Sequence, residues 1–460
     1  MTEHLYAVDG RGMSSLQESL SPESSITTPS QKLRWSEYGA PQPGFVVHPA
    51  TALDVSKTVQ WANENNVSFL LQNGGNGWAN TFSIDGKGIV IQLDNLRSVT
   101  FNEHGTQTTI GGGALIGDVV PVAAAKGSLA LTGTCNCVGA LGAILGGGYS
   151  SLGGQFGMGV DDVLSLEVVK ANGEIVILSS TALTTQEDKE LFWAMRGAGP
   201  NFGIVTSAVL MTHPVPKEDL FAWTGPLTFA PSQLENVISA IQSIKFGPKM
   251  ALSLSLLNLG GPTVFVTPFF HGSTEEGRLA FKTLLDIGPL TDKTGDVPYE
   301  SWNAGSDIAC IKGGRRPTIG VGLVKMDTIS WRAVYDVWAE LIQQSGAERS
   351  SVLLNVVPMD KARKVPGSSS AFPFRNLNFH ATMTASYADT AFDTSAIEYL
   401  KRARALWQAK DGLKCHGTYI NNAFGDESLE TVYGESLSRL KTIKQREDPH
   451  NRFNQWFPLA

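Results

Sequence analysis

Gly133-Thr134-Cys135-Asn136-Cys137-Val138-Gly139-Ala140-Leu141-Gly142-Ala143-Ile144-Leu145-Gly146-Gly147-Gly148-Tyr149-Ser150-Ser151-Leu152-Gly153-Gly154-Gln155-Phe156-Gly157 is the most glycine-dense stretch of this 460-residue chain. Glycine loses more backbone entropy on folding than any other residue, so such density points to close approach of backbone and ligand. A second loop, Gln72-Asn73-Gly74-Gly75-Asn76-Gly77-Trp78, follows the apolar run Val67-Ser68-Phe69-Leu70-Leu71. Together the loops offer backbone N–H groups suited to a diphosphate without a basic residue. Neither opens a strand–GxGxxG–helix unit with a later acidic residue, and no GxxxxGK[ST] occurs, which excludes the Rossmann and P-loop readings.

Outward from the loops the pattern is mixed. Before the first, Thr51 is placed to cap a helix, with Asp54 at its positive end and Val55, Val59 and Ala62 on one face. Between the loops, strands are predicted at 88–93, 98–101 and 108–110, then a helix over 115–125 ending at Gly127. Val163 to Leu178 reads as a hairpin turning at Asn172-Gly173, and 189–196 as a helix closed by Gly197. Pro214-Val215-Pro216 marks a boundary. From 217 to 410, helical segments (231–244, 274–285, 330–344) alternate with strands such as 263–266 and 351–354, the pattern of an antiparallel sheet with helices on one face. Leu429, Val432, Tyr433, Leu437, Leu440 and Ile443 keep helical spacing until Asp448-Pro449. Residues 11–35, rich in Ser, Thr and Pro, read as an arm that orders only against the body.

The apolar share of 42% over 460 residues supports two lobes. A net charge of −7 provides no basic field, so nucleic acid is not an expected partner. Met1-Thr2-Glu3-His4 opens no basic or apolar leader, and no window has the length of a membrane span; a cytoplasmic protein is expected, monomer or homodimer. Of the four cysteines, Cys135 and Cys137 are too close to pair with each other, and Cys310 and Cys415 stand alone; neither a disulfide framework nor a metal site is expected.

Seven pieces in order, Asn73-Gly74-Gly75-Asn76-Gly77, Leu93-Asp94-Asn95-Leu96, Gly133 to Gly139, Leu145 to Tyr149, Asp161-Asp162-Val163, Leu191 to Gly197 and Asn201 to Thr206, resemble the FAD-binding domain of the vanillyl-alcohol-oxidase (PCMH-type) superfamily. Tyr419-Ile420-Asn421, Tyr433-Gly434 and Asp448-Pro449-His450-Asn451-Arg452-Phe453 resemble the closing module of berberine-bridge-like enzymes. The resemblance implies an α+β, two-lobed protein: an arm (1–37), an FAD-binding PCMH-type domain (38–214), an antiparallel-sheet substrate domain covered by helices (215–414), and a C-terminal berberine-bridge-like module (415–460) completing the FAD domain. It also implies FAD held by Asn73, Gly74, Gly75, Asn76, Gly77, Thr134, Cys135, Val138, Gly139, Gly142, Gly146, Gly147, Gly148, Ile204, Tyr419 and Asn421.

Two departures matter. Where many relatives carry the histidine that bonds flavin, this chain has Asn76, whereas the cysteine of their Gly-x-Cys motif falls on Cys135; FAD is expected noncovalent or linked once through Cys135. Where relatives read Tyr-x-Asn-Tyr, this chain reads Tyr419-Ile420-Asn421-Asn422, and Asn422 is no general base. Other candidate catalytic residues are Tyr419, Arg375 of Phe372-Pro373-Phe374-Arg375, and His380 and Tyr387, with His380, Thr382, Thr384 and Ser386 on one strand face and Tyr387 on the other. The expected activity is FAD-dependent oxidation of a small secondary metabolite by hydride transfer, with O2 as electron acceptor; the alternative is a non-redox isomerase or cyclase with FAD as a structural element.

Overall fold

The computed structural model describes residues 10–29, 34–180 and 185–460, so the reading of the first four residues lies outside them. The helix Ala52–Glu64 begins as expected: Thr51 Oγ1 accepts from Asp54 N at 3.1 Å and the Asp54 carboxylate accepts from Thr51 N at 2.9 Å. This reciprocal cap satisfies two orphan donors. Its inner face, Val55, Val59, Trp61 and Ala62, packs on Phe69, Ile89 and Ile91. Those residues belong to a four-stranded sheet ordered Ser25–Thr27, Phe45–His48, Ile89–Gln92, Phe69–Gln72, whose last three strands are parallel.

Residues 11–29 of the stretch read as an arm are built into this lobe. Helix Gly10–Ser19 buries Met13 and Leu16 in the same core, Leu20 follows them in, and Ser25–Thr27 pairs antiparallel with Phe45–His48. Ser21 adds N–H and Oγ–H bonds to the Asp54 carboxylate, 2.8 and 2.9 Å long. Three apolar residues at helical spacing suffice once a partner face exists.

A five-stranded antiparallel sheet, ordered Val99–Phe101, Gln107–Gly111, Ile204–Met211, Val163–Val169, Ile175–Ser179, carries the second glycine stretch. The hairpin turns at Asn172-Gly173, where Gly173 has φ +85°. Helix Gln186–Ala198 begins earlier than expected, at a Thr185–Asp188 capping box, and kinks at Gly197, φ +137°. The C-terminal Tyr433, Leu440, Ile443 and Phe457 enter the core that holds Leu191, Phe192 and Phe202.

The remaining lobe is a nine-stranded antiparallel sheet. Helices Leu234–Ser243, Thr328–Leu341 and Asp393–Gln408 cover one face; the segment 274–285 is two short helices broken at Phe281. Val352, Leu354 and Val356, with Phe379, Ala381 and Met383, point into the helix-covered core. Side chains alternate along a strand. Asn355, His380 and Thr382 therefore turn to the other lobe, Asn355 directly opposite His380. Among the described residues no helix is long and apolar enough to cross a membrane.

Candidate functional site

Between the lobes lies a cavity of about 400 Å³. Its floor is the two glycine stretches, brought face to face. Asn76 Nδ2 donates to Cys137 O at 2.8 Å and Asn73 Nδ2 to Ala114 O at 3.0 Å. The approach needs glycine: a Cβ on Gly74 would sit 2.7 Å from Cys137 O and 3.0 Å from Gly139 N, both backbone atoms. The N–H groups of Gly74, Gly75, Asn76 and Gly77 donate to no acceptor among the described residues. A row of unused donors in a cradle that side chains would fill fits a diphosphate group. Gly74→Ala is expected to destabilise the protein by about 1–3 kcal/mol and to lower retained FAD; urea unfolding and the flavin-to-protein absorbance ratio check this.

Of the expected cofactor residues, Asn73, Gly74, Gly75, Asn76, Gly77, Thr134, Val138, Gly139, Gly142, Tyr419 and Asn421 line the cavity, whereas Cys135, Gly146, Gly147, Gly148 and Ile204 do not. The glycine triplet serves its neighbours instead. A Cβ on Gly146 would overlap the Asn421 amide, and one on Gly147 would reach the rings of Phe372 and Tyr419. Ile204 is buried in the core of the first lobe.

Tyr419 and Asn421 form a clamp. The Tyr419 hydroxyl donates to Ala143 O at 3.2 Å and accepts from Gly148 N at 3.2 Å and Asn421 Nδ2 at 2.8 Å. With its hydroxyl thus engaged and its pKa pushed up to about 12 by burial, Tyr419 holds structure and is a poor proton acceptor. Asn422 lines the cavity beside Gly320, whose absent side chain makes room for it.

The other three catalytic candidates separate. Arg375 makes a buried bidentate pair with Asp161 (2.6 and 2.7 Å) and also bonds Ser370 Oγ; it braces the loop and is not brought to the cavity. Tyr387 gives its hydroxyl to Asp393 at 2.8 Å and packs in the sheet–helix core, also away from the cavity. His380 stands behind Tyr149, their ring centroids 3.9 Å apart. Its Nε2 bonds Leu377 O at 3.0 Å, which fixes the tautomer and leaves Nδ1 a lone pair with no partner. Burial pushes its pKa down to about 3.

That shift has a consequence for stability. The unfolded imidazole titrates near about 6.5, so between that pH and about 3 the unfolded chain binds the extra proton. Stability from this group is intact above about pH 6.5 and falls as pH drops, by up to about 1.4 kcal/mol per unit. His380→Phe is expected to flatten that slope in urea midpoints measured from pH 7 to 4.

Residues not singled out from sequence also belong to the site, Tyr149, Arg34 and Asn355 among them. Tyr149 lines the cavity, and its buried hydroxyl has no partner. Burial and then the neighbouring Tyr419 keep it protonated well above the usual phenol range. Its position directly after the triple glycine was the available signal. Arg34, from the stretch read as an arm, donates to Gly77 O at 2.9 Å and to Gln72 Oε1, and lies 5.0 Å from the Phe82 ring centroid. It is the one charged residue lining the cavity among the described residues.

The expectation of unpaired cysteines is corrected: Cys137 and Cys310 form a disulfide across 173 residues, joining the loop 133–139 to the segment 304–310. Spacing along the chain carries no information about such a pair. Cys135 and Cys415 are free.

Comparison with known proteins agrees with this geometry. A family model described as an FAD binding domain matches residues 43–179, and one described as berberine and berberine like matches 418–455. The chain is 32% identical to the FAD-linked oxidoreductase hasG of Aspergillus fumigatus, over 90% of this chain and 91% of that one. It is 30% identical to the FAD-linked oxidoreductase OXR1 of Pyricularia oryzae, over 91% and 84%. In fold it is similar to the BBE-like 1 protein of Physcomitrella patens (TM-score 0.84, 19% identity, 98% and 99% covered). It is also similar to xylooligosaccharide oxidase of Myceliophthora thermophila (TM-score 0.82, 21% identity, 98% and 99% covered).

Proposed function

The chain belongs to the berberine-like FAD-linked oxidoreductases, and from that premise we propose that it oxidises a small, neutral, hydroxylated intermediate of natural-product biosynthesis, with O2 as electron acceptor. Asn73 to Gly77, with Thr134, Val138, Gly139 and Gly142, would hold FAD, which would supply a two-electron acceptor for a hydride from substrate. The observation that carries the reading is the cavity itself, whose glycine cradle leaves N–H donors unused for a diphosphate and whose polar lining includes Tyr149, a phenol with no partner in the chain, packed on the His380 ring. We assign the Tyr149 phenol, unspent within the chain, to bond and orient a substrate hydroxyl. Asn355 and Asn422 add uncharged polar contacts. No carboxylate lines the cavity among the described residues, which disfavours a cationic amine.

The test is anaerobic mixing of the purified protein with candidate hydroxylated compounds. The expected result is bleaching of the flavin band, followed by one peroxide per oxidised product when O2 is admitted. One observation favours the alternative, a non-redox isomerase or cyclase: Asn76 and Asn422 stand where many relatives carry the flavin-bonding histidine and the tyrosyl base. Turnover that persists with the flavin chemically reduced and never bleaches it would establish that alternative.

A further inference from the structure

Three sulfurs converge beside the cavity. Cys137 and Cys310 are bonded, their Cα atoms 5.7 Å apart, and Cys135 Sγ lies 3.6 Å from Cys137 Sγ and 3.7 Å from Cys310 Sγ. These near-equal distances discriminate between two chemistries. In thiol–disulfide exchange a thiolate attacks one sulfur of the pair and expels the other. That attack runs along the bond being broken, and Cys135 instead stands to the side of it. Three thiolates on one cation form a triangular face. With tetrahedral metal–sulfur bonds of about 2.3 Å, its edges are about 3.8 Å long. Both edges through Cys135 are already close to that length.

We propose that Cys135, Cys137 and Cys310, once the disulfide is reduced, form a binding site for a thiophilic closed-shell cation of the Zn2+ class. A dithiol supplies two electrons and two protons to open the pair and closes to its own disulfide. The cation then displaces one proton from each of three thiols. Soft thiolate ligands select such ions, and all three residues are partly exposed, which gives the ion an entry path and leaves its fourth position to water.

The frame around the sulfurs does not depend on the disulfide. Asn136, between the two near cysteines, donates to Asp307 Oδ1 at 2.9 Å and accepts from Asn303 Nδ2 at 3.2 Å. Trp35 Nε1 donates to Ala309 O at 2.8 Å, and Asn76 Nδ2 holds Cys137 O at 2.8 Å. These outer contacts tie both sides of the triad, the role that second partners have in metal sites. Because Cys135 also matches the flavin-attaching position, a bound cation and a flavin thioether exclude one another; this consequence, unlike the site itself, rests on the flavin reading.

The experiment uses the full-length protein, reduced with a phosphine, freed of reductant without air and titrated with Cd2+ as probe. The expected result is a thiolate-to-cadmium ultraviolet band that saturates at one equivalent, is reversed by competing Zn2+ and is absent from the unreduced protein. Cys310→Ser and Cys135→Ser are each expected to weaken binding by more than about tenfold, since loss of even an outer partner has that effect. Cys415→Ser, at an exposed free thiol outside the triad, should leave it unchanged. Cys310→Ala, shown by thermal melting to fold as the reduced protein does, separates lost ligation from lost structure. No band at one equivalent, or a band that survives in the Cys310 and Cys135 variants, overturns the site whatever the flavin content.

Discussion

Tyr149→Phe is expected to lower kcat/KM by about 10²–10⁴ while flavin content stays at the wild-type level. The two tyrosines at the site differ in what their hydroxyls bond. Tyr419 spends its hydroxyl on Ala143, Gly148 and Asn421, so removing it would loosen the glycine turn and confound activity with structure. Tyr149 spends its hydroxyl on nothing within the chain, and its ring packing on Tyr419 and His380 is kept by phenylalanine. Folding should even improve slightly, because a buried polar atom without a partner is removed. The measurement is single-turnover flavin reduction with the substrate found by anaerobic bleaching. An undiminished rate in Tyr149→Phe would place the orienting group elsewhere. Because His380 stays neutral above about pH 3 and Tyr149 protonated throughout, the wild-type kcat/KM is expected to be flat between about pH 5 and 9.

Lys444→Met is expected to cost about 3–5 kcal/mol of stability. Lys444 is buried, and its Nζ donates to Asp448 Oδ2 (2.7 Å), Phe453 O (2.7 Å) and Asn201 O (2.9 Å). The first two partners lie near the end of the chain and the third in the turn Gly199–Asn201 before strand Ile204–Met211, so one ammonium ties the C-terminal segment to that turn. Methionine keeps the volume but leaves the buried Asp448 without its counter-charge, which is the expensive half of breaking such a pair. Asp448 would retain only the N–H groups of Arg452 and Phe453. Chemical denaturation of both proteins tests the magnitude. A loss under about 1 kcal/mol would mean that water reaches Asp448, as it does at surface pairs.

How much of this was legible beforehand depends on the range of the interaction. The Thr51–Asp54 cap and the Asn172-Gly173 turn rest on forces between residues a few positions apart, and they stand where composition and spacing put them; the glycine loops were legible by composition, although what makes their glycines necessary is their approach to each other. Alternation placed His380 and Thr382 on one strand face because strand geometry is periodic. The order of the motifs carried the family and, with it, FAD.

What only the tertiary structure decided are convergences. Cys137 and Cys310 meet across 173 residues, Arg34 returns to the first glycine loop, and Tyr149 meets His380 from the facing lobe. Arg375 and Tyr387, reasonable as catalytic groups by type, are consumed by Asp161 and Asp393. A residue's type states what it can bond, and local spacing states which way it points. Which partner it meets is set by the register of distant strands and the packing of two lobes, quantities summed over many weak contacts that no short stretch of sequence encodes.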